Sequence, residues 1–304
     1  MIEKAADYLF DKQNVFNKFE QDFWQIPQFN ISDLDMNYDS ETVKNLFNCI
    51  DLTSLNTDDS HKKIENLCNK VKDFRNHFPD VQNVAAVCTF PAYALQLKDL
   101  LRKTEVKRAV VSASFPHSQT FFVSKIEETK NALEYGANEI DIVIDIGEFL
   151  DGNYNEVGST IYLIKNTMTE IDNESKLKVI LETGILSSPE NIWKSSLLSL
   201  VAGADFIKSS TGKHSISATP EAVWVMAHAI KAFQEKNGKQ AGIKPSGGIV
   251  TIEDAMIYWA IVKKVLGSNY LNNNYFRIGA SRLANNLLTE LEKLKGTKKI
   301  VNYF

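Results

Sequence analysis

Short runs rich in β-branched and aliphatic residues alternate along the chain with longer segments in which apolar residues recur every three to four positions. The short runs predict β-strands, and the longer segments predict amphipathic helices. Eight short runs follow one another: 47–52, 84–90, 108–114, 139–145, 177–183, 205–210, 242–246 and 276–280. The intervals between them, from 24 residues (Cys88 to Ser112) to 37 residues (Asp51 to Cys88), leave room for one strand, one helix and two loops.

Eight strand–helix units in series predict an α/β fold, the (β/α)8 TIM barrel. An open, doubly wound sheet usually has fewer strands, and no GxGxxG motif follows the first run. No domain-sized linker interrupts the series. We therefore expect residues 41–304 to form one barrel domain.

Residues 1–40 follow a different pattern and predict an N-terminal helical extension. Four apolar residues recur there at roughly helical spacing: Leu9, Phe16, Phe19 and Phe23. Pro27 then breaks the pattern. We expect this helix to pack on the barrel or on a neighbouring subunit. A membrane-surface helix is disfavoured because its polar face is not basic.

Alternation within the strands predicts which side chains point into the barrel. In 139–145 the three isoleucines share one face, which must pack under the helices, so Asp141 points into the lumen. The same argument predicts that the side chains of Lys178 and Lys244 point into the lumen and, less decisively, that the side chain of Lys208 does so. Buried charges are costly unless they are paired. Lysines and an aspartate on different strands of one lumen therefore indicate a catalytic site rather than a structural network.

The chemistry open to these residues is that of a Schiff-base (class I) aldolase. Lys208 and Lys244 lie on adjacent predicted strands, ~4.8 Å apart, so each cation lowers the pKa of the other. A lysine that is neutral near pH 7 can attack a carbonyl, and the protonated imine is an electron sink for breaking the adjacent carbon–carbon bond. Asp141 could move a proton, and Lys178 could hold Asp141 ionised or bind a substrate hydroxyl. Such a site needs neither metal nor cofactor.

Glycine-rich segments follow the last three predicted strands, at 210–213, 246–248 and 279–281. Phosphate sites of TIM barrels are typically built after strands seven and eight, and glycine lets backbone N–H groups approach the phosphate closely. Tight turns alone would also use glycine, so a purely structural role stays open. The STGK run at 210–213 is not a Walker loop, because Ile207 and His214 occupy required Gly and Ser/Thr positions.

Composition excludes several other classes. Hydrophobic residues are 44% and charged residues 24% of the sequence, which is typical of a globular protein. The net charge of −4 gives no sign of the basic surface that would bind nucleic acid or an anionic membrane. Cys49, Cys68 and Cys88 form no CxxC pair, which favours reduced thiols in a cytoplasmic protein. The histidines form no HxH or HxxxH pair, so no metal site is expected. No apolar run predicts a membrane span or a secretory signal.

The sequence resembles the deoxyribose-phosphate aldolase family from about residue 45 to 290. The segments that carry the resemblance are IDLTSLN (50–56), AAVCTFP (85–91), FPH (115–117), GANEIDIVI (136–144), LKVILETG (177–184), GADFIKSSTGK (203–213), ATPE (218–221), GIKPSGGI (242–249) and FRIGAS (276–281). It implies a (β/α)8 barrel that cleaves 2-deoxy-D-ribose 5-phosphate reversibly to acetaldehyde and D-glyceraldehyde 3-phosphate, in deoxynucleoside catabolism. The expected partner is this phosphosugar, with no cofactor. We also expect a homo-oligomer, a dimer foremost.

The resemblance also implies a role for each site residue. Lys208 is similar to the Schiff-base lysine, Lys244 to the lysine that perturbs it, and Asp141 to the proton-relay acid with Lys178 in support. The implied substrate-binding residues are Asp51, Thr53, Gly212, Lys213, Gly247, Gly248, Gly279 and Ser281. The first two match residues that contact substrate hydroxyls, and the others match phosphate loops. Cys88 is expected to pack near the pocket.

Three positions depart from the family pattern. Ser246 stands where alanine is usual and adds a hydroxyl beside the glycines. Arg282 replaces a small residue; it could clamp a phosphate or, as we favour, face solvent. Tyr303 is penultimate, whereas some members end in a tyrosine that reaches the site.

Two alternative functions stay open: a Schiff-base aldolase for another phosphorylated sugar, and a catalytically silent barrel that binds phosphosugars or a protein. The intact lysine pair and Asp141 argue against the silent barrel.

Overall fold

A computed structural model describes residues 15–304 of the protein. Within them, eight strands alternate with helices. The strands are β1 Ile50–Thr53, β2 Ala86–Thr89, β3 Lys107–Val111, β4 Glu139–Val143, β5 Lys176–Ile180, β6 Phe206–Lys208, β7 Gly242–Lys244 and β8 Ile278–Ala280. The helices are α1 Glu20–Trp24, α2 Ser40–Asn48, α3 His61–His77, α4 Ala94–Leu101, α5 Phe122–Glu134, α6 Ile146–Leu150, α7 Tyr154–Ile171, α8 Thr183–Leu186, α9 Pro189–Val201, α10 Pro220–Asn237, α11 Ile252–Leu266 and α12 Arg282–Leu294.

The strands form a parallel barrel. Neighbours pair in the order β7-β6-β5-β4-β3-β2-β1-β8, and parallel bridges join Ile243 to Phe276 and Ser246 to Gly279 across the remaining gap. Each strand overlaps one of the eight predicted runs, and the predicted (β/α)8 TIM barrel is confirmed.

The first predicted run, 47–52, was partly wrong. Phe47 and Asn48 belong to the end of α2, which begins after Asp39, whose side chain accepts a hydrogen bond from the Thr42 N–H. Val43, Leu46 and Phe47 are buried on one face of that helix. Their spacing of three and four residues is helical and competes with the strand pattern that follows.

The hydrophobic core lies mainly between the strands and the surrounding helices. Ile140 and Ile142 of β4 and Leu177 and Val179 of β5 are buried in this layer, and burying one such side chain contributes roughly 1.5–3 kcal/mol. Their neighbours along each strand face the lumen instead, as alternation predicts. The apolar layer therefore fixes which side chains meet inside the barrel.

The described part of the N-terminal extension, residues 15–40, packs on the outside of the barrel. The predicted helical extension is confirmed there, in short pieces: residues 15–16 are helical, a 3₁₀ turn at Asn17–Phe19 leads into α1, and a second 3₁₀ turn spans Ile31–Asp33. Phe19 is buried, and the Pro27 carbonyl accepts a hydrogen bond of 2.9 Å from the indole of Trp224 on α10. Leu9 lies outside the described residues.

None of the helices in residues 15–304 combines the length and the apolar composition that a membrane span requires.

The end of the chain also packs outside the barrel. The Asn285 side chain on α12 accepts hydrogen bonds from the backbone N–H groups of Tyr303 and Phe304, both at 2.9 Å. The Tyr303 hydroxyl donates to the Lys70 carbonyl on α3 at 2.7 Å, and the Phe304 ring stacks on Phe74. Tyr303 is therefore held against α3 and does not line the cleft described below.

Candidate active site

A cluster of buried charges fills the lumen of the barrel. In the described part of the chain its members are Asp51 of β1, Glu139 and Asp141 of β4, Lys178 of β5, Lys208 of β6, Lys244 of β7 and Arg277 just before β8. Each is at most 4% exposed. Burial of a charge is tolerated only where opposite charges and hydrogen bonds compensate it, so the pairing of these groups determines their protonation.

Asp141 is the centre of the cluster. Its Oδ1 accepts a hydrogen bond from Lys178 Nζ at 2.9 Å, and its Oδ2 accepts from Lys208 Nζ at 2.9 Å and from Lys244 Nζ at 2.8 Å. Burial alone would raise the pKa of the Asp141 carboxyl, but the three ammonium groups lower this pKa well below its usual value. Asp141 is thus ionised at neutral pH.

Lys208 and Lys244 differ in how many carboxylates hold them. Burial and then the charge of Lys244 lower the pKa of Lys208, and Asp141 is the single carboxylate that pairs with it in the described structure. Lys244 pairs with Asp141 and also with Asp51, at 2.5 Å, and these two carboxylates raise its pKa in spite of burial. Lys208 is therefore the lysine of this pair that loses its proton more readily.

The charge balance of the cluster favours the same assignment. Without Lys208, the described cluster holds three carboxylates and the three cations Lys178, Lys244 and Arg277. A neutral Lys208 amine leaves that set balanced, whereas a protonated Lys208 adds an excess positive charge. Since excess charge is costly in a buried site, the surroundings favour the nucleophilic form of Lys208.

Arg277 and Glu139 are absent from the predicted site. Arg277 pairs with Asp51 at 2.6 Å and with Glu139 at 2.8 Å, and Glu139 pairs with Lys178 at 2.7 Å. The sequence does contain a pattern that predicts the direction of the Arg277 side chain. Ile278 faces outward toward the helices, so alternation predicts that Arg277, the residue before it, points into the lumen. These residues lie at the base of the cluster and hold Asp51 and Lys178.

A cleft of about 210 Å³ opens above the cluster at the carboxyl ends of the strands. Its lining includes Lys208, Thr53, Gly212, Lys213, Ser246, Gly247, Gly248, Gly279, Ser281 and Arg282. The structure thus brings together Lys208, Thr53 and all three predicted phosphate loops. Asp51 is two residues deeper on β1 and does not line the cleft, and neither do Asp141, Lys178 and Lys244.

The far side of the cleft presents backbone donors. Within residues 15–304, the N–H groups of Gly248, Ser281 and Arg282 make no hydrogen bond to the protein. Arg282 begins α12, so the positive end of that helix dipole points toward the same place. Its exposed side chain lines the rim of the cleft. These features suit an anion such as a phosphate.

Close packing under the loops explains one of the glycines. A Cβ on Gly279 would lie 2.1 Å from Ser246 Oγ, closer than any real contact. That hydroxyl is buried and has no hydrogen-bond partner in the described structure. The side chain at position 246 therefore fills the space that glycine leaves at position 279.

An apolar patch faces the charged cluster across the lumen. It consists of Leu55, Ala86, Cys88, Ala109 and Val111, with the rings of Phe90 and Phe115 at its edge. Burial raises the pKa of the Cys88 thiol to about 11, so Cys88 stays protonated. This agrees with the packing role expected for Cys88. Of the patch, Leu55 lines the cleft.

A lysine with a lowered pKa, an ionised aspartate beside it and backbone N–H donors at the adjoining cleft form a candidate active site of the kind expected in an aldolase barrel. The chain belongs to the DeoC/LacD family of aldolases, whose family model matches residues 46–283. The deoxyribose-phosphate aldolases of Bos taurus and Homo sapiens are each 37% identical to it, over 245 and 248 residues. These matches cover 77% and 78% of this chain and 76% and 77% of the relatives.

Solved structures share the fold. The chain is similar to QR15, an aldolase, with 26% identity and a TM-score of 0.65, over 82% of this chain and 96% of that one. The tetrameric deoxyribose phosphate aldolase from Aeropyrum pernix has a TM-score of 0.64 at 24% identity, over 89% of this chain and 97% of that one. At that identity the second likeness concerns the fold alone.

Proposed function

We propose that the protein is a class I aldolase that cleaves 2-deoxy-D-ribose 5-phosphate to acetaldehyde and D-glyceraldehyde 3-phosphate, and catalyses the reverse addition. The single observation that carries the proposal is the cleft with Lys208 at one end and three glycine-rich loops at the other. A substrate with an aldehyde at one end and a phosphate at the other matches this polarity. Family membership and the 37% identical relatives support the same substrate.

The first half of the reaction forms the imine. The neutral Lys208 Nζ attacks C1 of the open-chain sugar to give a carbinolamine, and a proton from solvent on the carbinolamine hydroxyl lets it leave as water, which gives the protonated imine. The Asp141 carboxylate, 2.9 Å from Lys208 Nζ, stabilises this cation. Lys244 keeps Lys208 deprotonated before the attack and remains charged itself, because Asp51 and Asp141 both pair with it.

The second half breaks the carbon–carbon bond. Removal of the proton from the C3 hydroxyl, which we assign to Asp141 directly or through a water, turns C3 into a carbonyl. The electrons of the C2–C3 bond move into the imine and give an enamine, and D-glyceraldehyde 3-phosphate leaves. Protonation of the enamine at C2 and hydrolysis then release acetaldehyde and regenerate Lys208. Lys178 holds Asp141 in place through its hydrogen bond of 2.9 Å.

The phosphate is assigned to the cradle formed by the loops after β6, β7 and β8. Its donors are the unpaired N–H groups of Gly248, Ser281 and Arg282, with the flanking Lys213 supplying charge. Gly212 has room where a Cβ would stand, whereas a Cβ on Gly247 would lie 2.5 Å from Ser217 Cβ and one on Gly279 would lie 2.1 Å from Ser246 Oγ, so the last two are required by packing around the cradle. Thr53 is assigned to a substrate hydroxyl, and Asp51 acts on the substrate only through Lys244.

Reductive trapping tests the proposal. The protein is incubated with 2-deoxyribose 5-phosphate and borohydride, which reduces an imine to a stable amine, and the adduct is mapped by peptide mass spectrometry. A label on Lys208 together with release of glyceraldehyde 3-phosphate is the expected result. A label on Lys244 would exchange the two lysine roles. Turnover of a different phosphorylated sugar, and not of this one, would overturn the substrate.

We also propose that the protein forms a homo-oligomer, with a dimer as the first expectation. The N-terminal extension leaves Trp24 70% exposed on the surface, where a second copy of the chain would cover it. Light scattering coupled to size-exclusion chromatography measures the mass directly. A mass of about 34 kDa, that of one 34.3 kDa chain, would contradict the proposal.

A further inference from the structure

One buried carboxylate at the edge of the site takes no part in the charged cluster. Glu182 follows β5 and is 3% exposed. Its backbone is left-handed, with φ 54° and ψ 60°, a conformation that residues other than glycine rarely adopt. In the described part of the chain Glu182 makes no ion pair, in contrast to Asp51, Glu139 and Asp141.

Glu182 binds one residue of the first phosphate loop with both oxygens. The backbone N–H of Thr211 donates to Glu182 Oε2 at 3.2 Å and to Oε1 at 3.4 Å, and the Thr211 hydroxyl donates to Oε2. Since charged acceptors make the stronger hydrogen bonds, two donors from one residue fix that residue firmly. Both groups are buried, so water competes little with these bonds.

Thr211 transmits this restraint to the cleft. Its hydroxyl oxygen also accepts a hydrogen bond of 3.0 Å from the backbone N–H of Lys213, and Gly212 lies between them. Lys213 Nζ in turn donates to the Leu55 carbonyl on the loop after β1. The conformation of 211–213, which begins three residues after Lys208, thus depends on a carboxylate from the segment that follows the neighbouring strand β5.

We propose that Glu182 is a positioning residue that holds the 211–213 loop in its phosphate-binding conformation and thereby sets the preference for a phosphorylated sugar. The inference rests on the proposed aldolase function and goes beyond it by adding a residue that does not touch the substrate. A loop that is already ordered pays little conformational entropy when the phosphate binds. Without this restraint, the loop loses conformational entropy when the phosphate binds. This cost weakens the binding only of substrates that contact the loop.

The test compares two substrates. In Glu182→Gln, the KM for 2-deoxyribose 5-phosphate is expected to rise about tenfold with kcat within twofold, whereas kcat/KM for unphosphorylated 2-deoxyribose stays within twofold. The inhibition constant of inorganic phosphate should rise by the same factor. In Thr211→Val, a change within the loop itself, the KM for 2-deoxyribose 5-phosphate is also expected to rise. Thr211→Ser keeps the hydroxyl and should retain the wild-type preference. Thr211→Val examines the link from the loop side if Glu182→Gln fails to fold.

A matched control separates positioning from a general loss of stability. Glu128 on α5 also accepts a hydrogen bond from a loop N–H, that of Ser114 at 2.8 Å, but neither residue lines the cleft. Glu128→Gln should leave the ratio of the two kcat/KM values unchanged. An unchanged ratio in Glu182→Gln and Thr211→Val would overturn the positioning role while leaving the aldolase intact. A wild-type protein that cleaves neither sugar would instead overturn the function, and this inference with it.

Discussion

Lys208 and Lys244 lie opposite each other on β6 and β7, and their ammonium groups share one oxygen, Asp141 Oδ2, at 2.9 and 2.8 Å. The shared oxygen holds the two nitrogens close together, while a second carboxylate, Asp51, pairs with Lys244 alone. The two lysines are therefore not equivalent. One has its pKa lowered and can become a nucleophile, and the other keeps its charge.

Replacing Lys208 should abolish activity without harming the fold. Lys208→Met removes the amine that forms the imine, so turnover of 2-deoxyribose 5-phosphate should fall by about 10³-fold or more. The remaining three carboxylates and three cations are balanced, so the urea midpoint should be unchanged or higher. Enzyme assay and urea unfolding measure both effects. Lys176→Ala, at the exposed start of β5, is the control and should keep full activity. Residual turnover within tenfold of wild type would exclude Lys208 as the nucleophile.

Replacing Lys244 should move the pH dependence. Lys208 must be neutral to attack, so kcat/KM is expected to fall on the acid side of the Lys208 pKa. Lys244→Met removes a neighbouring cation and leaves Asp141 less compensated, and both changes raise the pKa of Lys208. The acid limb of the kcat/KM profile should therefore shift to higher pH, by about one unit or more. Lys244→Arg keeps the charge and should shift the limb less. A shift to lower pH would contradict this electrostatic role.

Asp141 should matter more for bond cleavage than for imine formation. Asp141→Asn removes the carboxylate that raises the pKa of Lys208, so the amine stays available and borohydride should still trap acetaldehyde on Lys208. Cleavage should fall about 10²–10⁴-fold, the usual contribution of a general base. Because three lysines lose their shared counter-charge, stability should also fall, by about 3–5 kcal/mol in urea unfolding. Loss of trapping in a folded variant would give Asp141 a role in the first step instead.

Much of this site could be predicted from the sequence because strand alternation is a local property. Asp141, Lys178 and Lys244 each stand between apolar residues that must face the helices, so the lumen face follows from neighbours in the chain. Arg277 obeyed the same rule, but a single cation beside one short strand is a weak signal. The resemblance implies different roles for Lys208 and Lys244, and in the structure the two lysines have different carboxylate partners.

Other features depend on groups that are distant in sequence. The hydrogen bonds between Glu182 and Thr211 join residues 29 positions apart. They also require a left-handed backbone at Glu182, which no local sequence pattern predicts. The difference between Lys208 and Lys244 likewise arises from Asp51, which lies on the other side of β8 in the barrel order. Such pairings appear only once the strands are placed in space.

Ser246 and Gly279 give the last prediction, a test of packing under the phosphate cradle. Gly279→Ala alone should weaken substrate binding and stability, because the new Cβ would lie 2.1 Å from Ser246 Oγ. Ser246→Ala alone removes a buried hydroxyl that has no partner in the described structure, so it should cost little or stabilise the protein. In the double variant the nearest remaining contact is the Cβ of residue 246 at 3.1 Å, so part of the loss should be recovered. A double-mutant cycle in urea midpoint and KM measures this coupling, and strict additivity would show that the two side chains do not compete for the same space.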